Sequence, residues 1–211
     1  MFNLAPMREA YMRAGLAERD AAADPLLQFE AWFNDAVTAA LPLPNAMTLS
    51  TVSAEGQPSS RAVLLKGVDH GGFVFYTNYL SRKGRDIDAN PHAALLFAWL
   101  ALERQVRIEG VLTRITSTES DAYFDSRPLG SRHAAIASPQ SEVLANRAAL
   151  EKKFDEVASS TGATPKRPQH WGGYRLMPQA IEFWQGRENR LHDRLLYTRH
   201  KDGWNIKRLA P

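Results

Sequence analysis

Apolar residues first recur at helical spacing, as Leu26, Phe29, Trp32, Phe33, Ala36 and Val37, behind a capping Asp24 and a first-turn Pro25. Pro42 and Pro44 lie where that helix must have ended. The period then shortens. Residues 46–53 and 59–66 read as strands around the turn Ala54-Glu55-Gly56-Gln57-Pro58, and Asp69-His70-Gly71-Gly72 turns the chain into a third strand over 73–77. Residues 81–89 predict a short helix stopped at Asn90-Pro91, followed by strands over 93–100 and 104–116, the second bending near Gly110. Thr116-Ser117-Thr118-Glu119 has the spacing of a capping box and predicts a helix to about Ser126, which Arg127-Pro128-Leu129-Gly130 breaks. Residues 131–140 read as loop or short helix.

The clearest helical pattern runs over 141–159, with Val143, Leu144, Leu150, Phe154 and Val157 as its stripe and Ser141 placed as an N-cap. After the linker Pro165-Lys166-Arg167-Pro168, strands are predicted over 172–177, 180–185, 190–199 and 204–209. About eight strands in antiparallel order with interspersed helices define a mainly β, α+β fold, and curling the sheet into a barrel would remove its edges. Residues 24–211 form one domain. Residues 1–23 read as a short helix broken at Gly15, or as an arm that orders against a partner or ligand.

Composition narrows the function. The 211 residues are 44% hydrophobic and 23% charged, with 26 Lys and Arg against 23 Asp and Glu. The net charge of +3 is small and its basic residues are scattered, so a nucleic-acid partner is not expected, whereas small phosphorylated ligands suit the bias. There is no cysteine, which excludes disulfides, thiolate metal sites and cysteine nucleophiles. No segment has the apolar length of a membrane span or of a signal-peptide core, so a cytoplasmic protein is expected. The six histidines show no ligand spacing, so no metal site is expected, and neither a G-x-S-x-G elbow nor a G-x-G-x-x-G turn occurs.

Several segments carry candidate chemistry beside a plainer meaning. In Arg61-Ala62-Val63-Leu64-Leu65-Lys66 a basic residue ends each apolar face of a strand; both sit at rims, or both meet anions. Ser81-Arg82-Lys83 opens a helix and combines amide groups with two cations, a phosphate cradle or an ordinary basic loop. Tyr123, Arg127 and Ser131 follow at four-residue intervals, each able to bind phosphate oxygens, or to form a polar surface. Trp171 and Trp184 could flank a planar ring or simply fill a core. Near the C-terminus, Ile181-Glu182-Phe183-Trp184-Gln185 turns at Gly186 and Asn189. An extended return would put Arg190, His192 and Arg194 on one face and Leu191, Asp193 and Leu195 on the other. That basic face meets something anionic or polar, or is a solvated edge.

The order of these segments is what becomes specific. R-x-V-L-L-K, F-Y-T-N, S-R-K, N-P, L-E-R-Q-V, Y-F-x-S-R-P, Q-S, W-G-G, the run I-E-F-W-Q-x-x-x-x-R-L-H-D-R and a terminal R-L-A-P together resemble the pyridoxine/pyridoxamine 5'-phosphate oxidase family over nearly the whole chain. The resemblance implies an FMN-binding split β-barrel and a homodimer with FMN at the interface. It implies cofactor contacts from Arg61, Val63, Leu64, Lys66, Tyr76 and Thr77, from Arg82, Lys83, Gln105, Gln140 and Ser141, and from Trp184 and Arg194. Lys66, Tyr123, Arg127 and Ser131 would hold the substrate phosphate, Arg190 and His192 would act at the pyridine ring, and Arg8 and Tyr11 would reach the substrate from the arm. Where the family often has R-R-E-Y, this chain has Arg8-Glu9-Ala10-Tyr11, lacking the second Arg.

The implied reaction is oxidation at C4' of pyridoxamine or pyridoxine 5'-phosphate to pyridoxal 5'-phosphate, with hydride passing to flavin N5 and molecular oxygen reduced to hydrogen peroxide. Two alternatives stand beside it: a split-barrel flavin oxidase on another ring system, as in phenazine biosynthesis, and a non-enzymatic protein that binds FMN or pyridoxal phosphate.

Overall fold

A computed structural model describes residues 15–201 and 203–211. The described residues contain α1 (Pro25–Thr38), β1 (Ala46–Val52), β2 (Pro58–Leu64), β3 (Gly67–Asp69), β4 (Gly72–Asn78), α2 (Arg82–Ala89), β5 (His92–Trp99) and β6 (Arg104–Arg114). These are followed by α3 (Ser117–Ser126), α4 (Leu129–Ala137), α5 (Arg147–Thr161), β7 (Trp171–Gln185), β8 (Asp193–His200) and β9 (Gly203–Arg208). Hydrogen bonding orders the strands β2-β1-β5-β6-β7-β4-β3, with β8 and β9 continuing from β7. The pairs β3–β4, β4–β7, β7–β8 and β8–β9 are antiparallel. The chain divides into two compact units.

The first unit holds the described residues up to Thr48, then Ala94–Gly110 and Pro178–Pro211. Asp24 caps α1 by accepting from the Leu26 amide, and the helix turns Phe29, Trp32 and Ala36 inward as its spacing predicts. Phe29 packs edge-on to Phe97, and Trp32 edge-on to Phe183. The segment before α1 is fastened to β8 and β9. Arg208 donates to both carboxylate oxygens of Glu18, to Asp193 and to the Leu16 carbonyl, while the Leu16 amide donates to Asp193.

The second unit holds Leu49–Ala93 and Val111–Met177. Ser81 caps α2 and Thr116 forms the expected capping box with Glu119. Gly84 is required where α2 crosses the end of β4: a Cβ there would fall inside the Tyr79 carbonyl.

Four expectations need correction. The long helix begins at Arg147, not Ser141: Asn146 is its N-cap, Ser141 has φ +77°, and Val143 is 98% exposed. Asn146 accepts from the Ala149 amide, and that local bond outweighs the extra turn that the apolar spacing suggested. The segments 172–177 and 180–185 are one strand, β7, which runs through Pro178. It pairs with β4 over Trp171–Leu176 and with β8 over Ala180–Gln185, so Pro178 falls between the two pairings. The hairpin β3–β4 raises the count to nine strands among the described residues and leaves Lys66 just after β2. Finally, β8 starts at Asp193. Asn189 and Arg190 both take positive φ in a short 3-10 turn, so Arg190 does not share a strand face with His192 and Arg194.

Candidate functional site

The second unit contains a cleft of about 980 Å³, a size usual for a cofactor or small-molecule site. Its charge pattern is one-sided. Arg61, Lys66, Arg82, Lys83 and Arg127 line it, and among the described residues no Asp or Glu does. The carboxylate of Asp86, 3.7 Å from Arg61, offsets part of the repulsion among these five cations, and a dianionic oxygen-rich ligand would relieve more of it.

Each cation is set by its own element. Arg61, on β2, donates through Nη1 to the carbonyls of Leu49 and Ser59 and to Thr51 Oγ1, and through Nη2 to Ser59 Oγ. Asp86, buried on α2, stands 3.7 Å from Arg61 Nη2 and accepts from Thr51 Oγ1 at 2.7 Å. Burial lowers the Arg61 pKa against the attraction of Asp86. Lys83 enters from the first turn of α2. Its Nζ donates to Thr77 Oγ1, Ser81 Oγ and Gln140 Oε1 at 3.0, 3.2 and 2.9 Å. Burial, then the Arg61 charge, pushes the Lys83 pKa down to about 8.

Arg127 sits at the C-terminal end of α3, where Pro128 turns the chain into α4. Its guanidinium carbon lies 4.6 Å from the Trp171 ring centroid, and its Nη1 is buried with no hydrogen-bond partner. An orphaned buried donor costs free energy that a ligand oxygen would recover. Tyr76 stacks on Tyr123 with centroids 3.8 Å apart, and burial is the main reason the Tyr76 hydroxyl is pushed up to about 12.

The cleft thus gathers Arg61, Val63, Leu64, Lys66, Tyr76, Thr77, Arg82, Lys83, Gln140 and Ser141 with Tyr123, Arg127 and Ser131. Ser59, Ser138 and Ala134 also line it and carried no signal in the sequence: small residues are common, and only the fold brings them together. Asp86 and Thr51 escaped notice too, although an Asp five residues after a helix cap could have been read as a partner for an interior cation.

The remaining candidates belong to the first unit. Gln105 lies on β6. Trp184 pairs with Arg194 across β7 and β8, and its ring lies 4.6 Å from that of His192. His192 Nδ1 accepts from the Arg187 amide at 3.1 Å, so the neutral ring carries its proton on Nε2. Burial and the nearby Arg190 charge lower the His192 pKa, which favours that neutral form. Arg194 Nε donates to Glu182 at 2.7 Å, and Arg107 holds the other oxygen of that buried carboxylate. Arg8 and Tyr11 lie outside the described residues.

The sequence and the fold define a flavoprotein-like architecture of known kind. The family profile described as pyridoxamine 5'-phosphate oxidase matches residues 33–160, and that of the pyridoxine 5'-phosphate oxidase C-terminal dimerisation region matches residues 171–211. The chain belongs to the pyridoxamine 5'-phosphate oxidase family and has its split-barrel fold. A pyridoxine/pyridoxamine 5'-phosphate oxidase of Burkholderia vietnamiensis is 61% identical over 214 residues, covering all of both chains. One from Cupriavidus pinatubonensis is 58% identical over 212 residues, again covering both chains. Among solved structures, PhzG from Burkholderia lata, in complex with tetrahydrophenazine-1-carboxylic acid, is 30% identical. It superposes with a TM-score of 0.89, covering 96% of this chain and 100% of that one. A pyridoxamine 5'-phosphate oxidase-related, FMN-binding protein from Nostoc punctiforme is 19% identical with a TM-score of 0.70, covering 87% and 97% of the two chains, and supports the fold alone.

Proposed function

We propose that this protein is a homodimeric, cytoplasmic FMN enzyme that oxidises pyridoxamine 5'-phosphate and pyridoxine 5'-phosphate to pyridoxal 5'-phosphate. The observation that carries the reading is the acid-free cleft with five cations, in a chain whose full-length relatives at about 60% identity carry that activity in their names. No helix among the described residues is long and apolar enough to cross a membrane.

The donor set fits the cofactor. Arg61 and Lys83 are the cations assigned to its phosphate, with Arg82, Thr77, Gln140 and Ser141 around them; all six line the cleft. Asp86 and Thr51 hold the Arg61 side chain in place, so no rotamer search accompanies binding. Lys66, Tyr123, Arg127 and Ser131 are assigned to the substrate phosphate. Arg127 lines the cleft and has an unpaired buried N–H, and a forked guanidinium matches phosphate geometry. FMN, when bound, would supply the redox chemistry, with molecular oxygen as the final electron acceptor. Arg190 and neutral His192, with Nε2–H as donor, orient the pyridine ring and stabilise charge that moves into it. Gln105, Trp184 and Arg194 complete the assigned cofactor contacts. The match to a dimerisation region supports the homodimer.

Anaerobic addition of pyridoxine 5'-phosphate to FMN-loaded protein tests the reading: the flavin band should bleach and return in air. The similarity to PhzG favours a second reading, oxidation of a phenazine-type ring substrate. A flavin that stays yellow with both B6 phosphates but bleaches with a reduced phenazine carboxylate would select it. Bound flavin that no ring substrate reduces would point to a carrier, and failure to bind FMN would remove the cofactor assignments.

A further inference from the structure

We infer that Trp171 is a positioning residue for phosphate recognition: its indole seats the Arg127 guanidinium and aligns the Tyr123 ring, so that both present polar edges to one phosphoryl group. The inference rests on the assignment of Arg127 and Tyr123 to the substrate phosphate, and it adds the cleft-lining Trp171 as the residue that places them.

The strand register explains why the indole is there. Tyr76 on β4 stands directly opposite Gly173 on β7, and Trp171, two residues before Gly173, is its diagonal neighbour on the same face. A Cβ on Gly173 would meet the Ile115 side chain and come within 3.0 Å of the Tyr76 ring, and one on Gly172 would overlap the Tyr79 hydroxyl. With no side chain opposite it, Tyr76 leans across and stacks on Trp171 at 5.6 Å and 14°. Tyr123 lies parallel to the same indole, 3° from coplanar at 6.2 Å. The three rings form one aligned block. The backbone of Trp171 is fixed as well: its amide donates to the Pro168 carbonyl at 3.0 Å, and its carbonyl accepts from Arg167 Nη1 at 2.6 Å.

Onto this block the Arg127 guanidinium is laid, 4.6 Å from the indole centroid. A guanidinium resting on an aromatic face directs its N–H groups outward in its own plane. One of those nitrogens, Nη1, is buried without a partner, in a side chain that lines the cleft. An indole serving only as core would have no reason to lie beneath a cation whose donor is unused. Its platform keeps Arg127 from folding back onto backbone carbonyls, and the position of Tyr123 is fixed by the same ring.

The test is a mutant cycle on FMN-loaded, full-length protein, read by calorimetric binding of inorganic phosphate and by steady-state turnover of pyridoxine 5'-phosphate. Trp171→Leu should raise the phosphate Kd and the KM together about tenfold, and Trp171→Phe about threefold, as expected for loss or weakening of a desolvated cation–π platform. The kcat and the FMN content should stay within about twofold of the parent, since only uniform phosphate binding is lost. In an Arg127→Ala background, Trp171→Phe should add less than about twofold, because it acts through the residue already removed. Additive losses in that background, an unchanged phosphate Kd, or FMN loss in step with KM would each overturn the inference. If Trp171→Leu does not fold, Trp171→Phe and the cycle decide alone. Parent protein that binds phosphate but is not reduced by pyridoxine 5'-phosphate would sink the proposed function while leaving the phosphate cycle interpretable.

Discussion

Lys83 Nζ donates to Gln140 Oε1 at 2.9 Å, which ties the first turn of α2 to the loop after α4. The same ammonium lies close enough to Arg61 for that charge to lower its pKa, and among the described residues no carboxylate lines the cleft. An anion arriving there would stabilise the charged form and raise its pKa again.

The sign of the resulting pH dependence follows. In the unfolded chain Lys83 titrates at its ordinary 10.5, and in the folded protein at about 8. Between those values the unfolded state holds more protons, so the stability of cofactor-free protein rises with pH from about 8 to 10.5. A bound phosphate would favour the ammonium, so FMN affinity should fall as pH rises above about 8. Lys83→Met should flatten the first dependence, abolish the second, and weaken FMN binding at pH 7 about tenfold or more. Thermal melts of apoprotein and fluorescence titrations of FMN across pH 7 to about 10 check this; an unaltered FMN profile in the variant would sink it.

Gly84→Ala should destabilise the protein by about 3 kcal/mol, since the added Cβ would drive into the Tyr79 backbone and displace α2. For a chain of this size that corresponds to a fall in Tm of roughly 6–12 °C. A melt within about 2 °C of the parent would show that α2 can shift freely.

Glu182 is a buried carboxylate between Arg194 and Arg107. Glu182→Gln removes its charge while keeping its volume. The Arg194 and Arg107 side chains are 26% and 48% exposed, so solvent recovers part of the loss, and a cost of about 1–2 kcal/mol is expected rather than that of a fully buried pair. Urea denaturation at constant m-value measures it. Arg107→Ala should cost less than the Glu182 variant, because Glu182 keeps its bond to Arg194 and the half-exposed Arg107 loses only screened pairs with Glu182 and Glu109.

Arg190 stands in a left-handed turn next to His192, with φ +60°. Arg190→Ala keeps a side chain on that strained backbone and removes only the guanidinium. Anaerobic flavin reduction by pyridoxine 5'-phosphate should slow about 10- to 100-fold, with FMN still bound, as loss of charge stabilisation at the reacting ring requires. Unchanged reduction kinetics would refute the role.

Local rules written into single segments were legible without coordinates. Asp24-Pro25 started α1, Ser81 capped α2 and Thr116 with Glu119 formed its box, because each depends on bonds within one turn. The presence of strands at β4 and β8 and the antiparallel order followed from periodicity and short turns. The resemblance of ordered motifs supplied the family, which no single motif did. Where local signals were incomplete, the sequence misled: Ser141 read as the cap of a helix that Asn146 caps, and 172–177 and 180–185 read as two strands where there is one.

What only the tertiary structure decided is which ambiguous residues meet. Arg61, Lys83 and Arg127 each had a bland explanation as rim or surface cations; one cleft without a carboxylate collects them because β2, α2 and the α3–α4 junction converge there. The support of Arg61 by Asp86 and of Arg127 by Trp171 spans 25 and 44 positions of chain, and nothing in a linear pattern fixes such pairs. Periodicity reports which face of an element is buried. Convergence of polar side chains depends on sheet register and on close approaches such as those at Gly84 and Gly173, which are set only when the whole chain has packed.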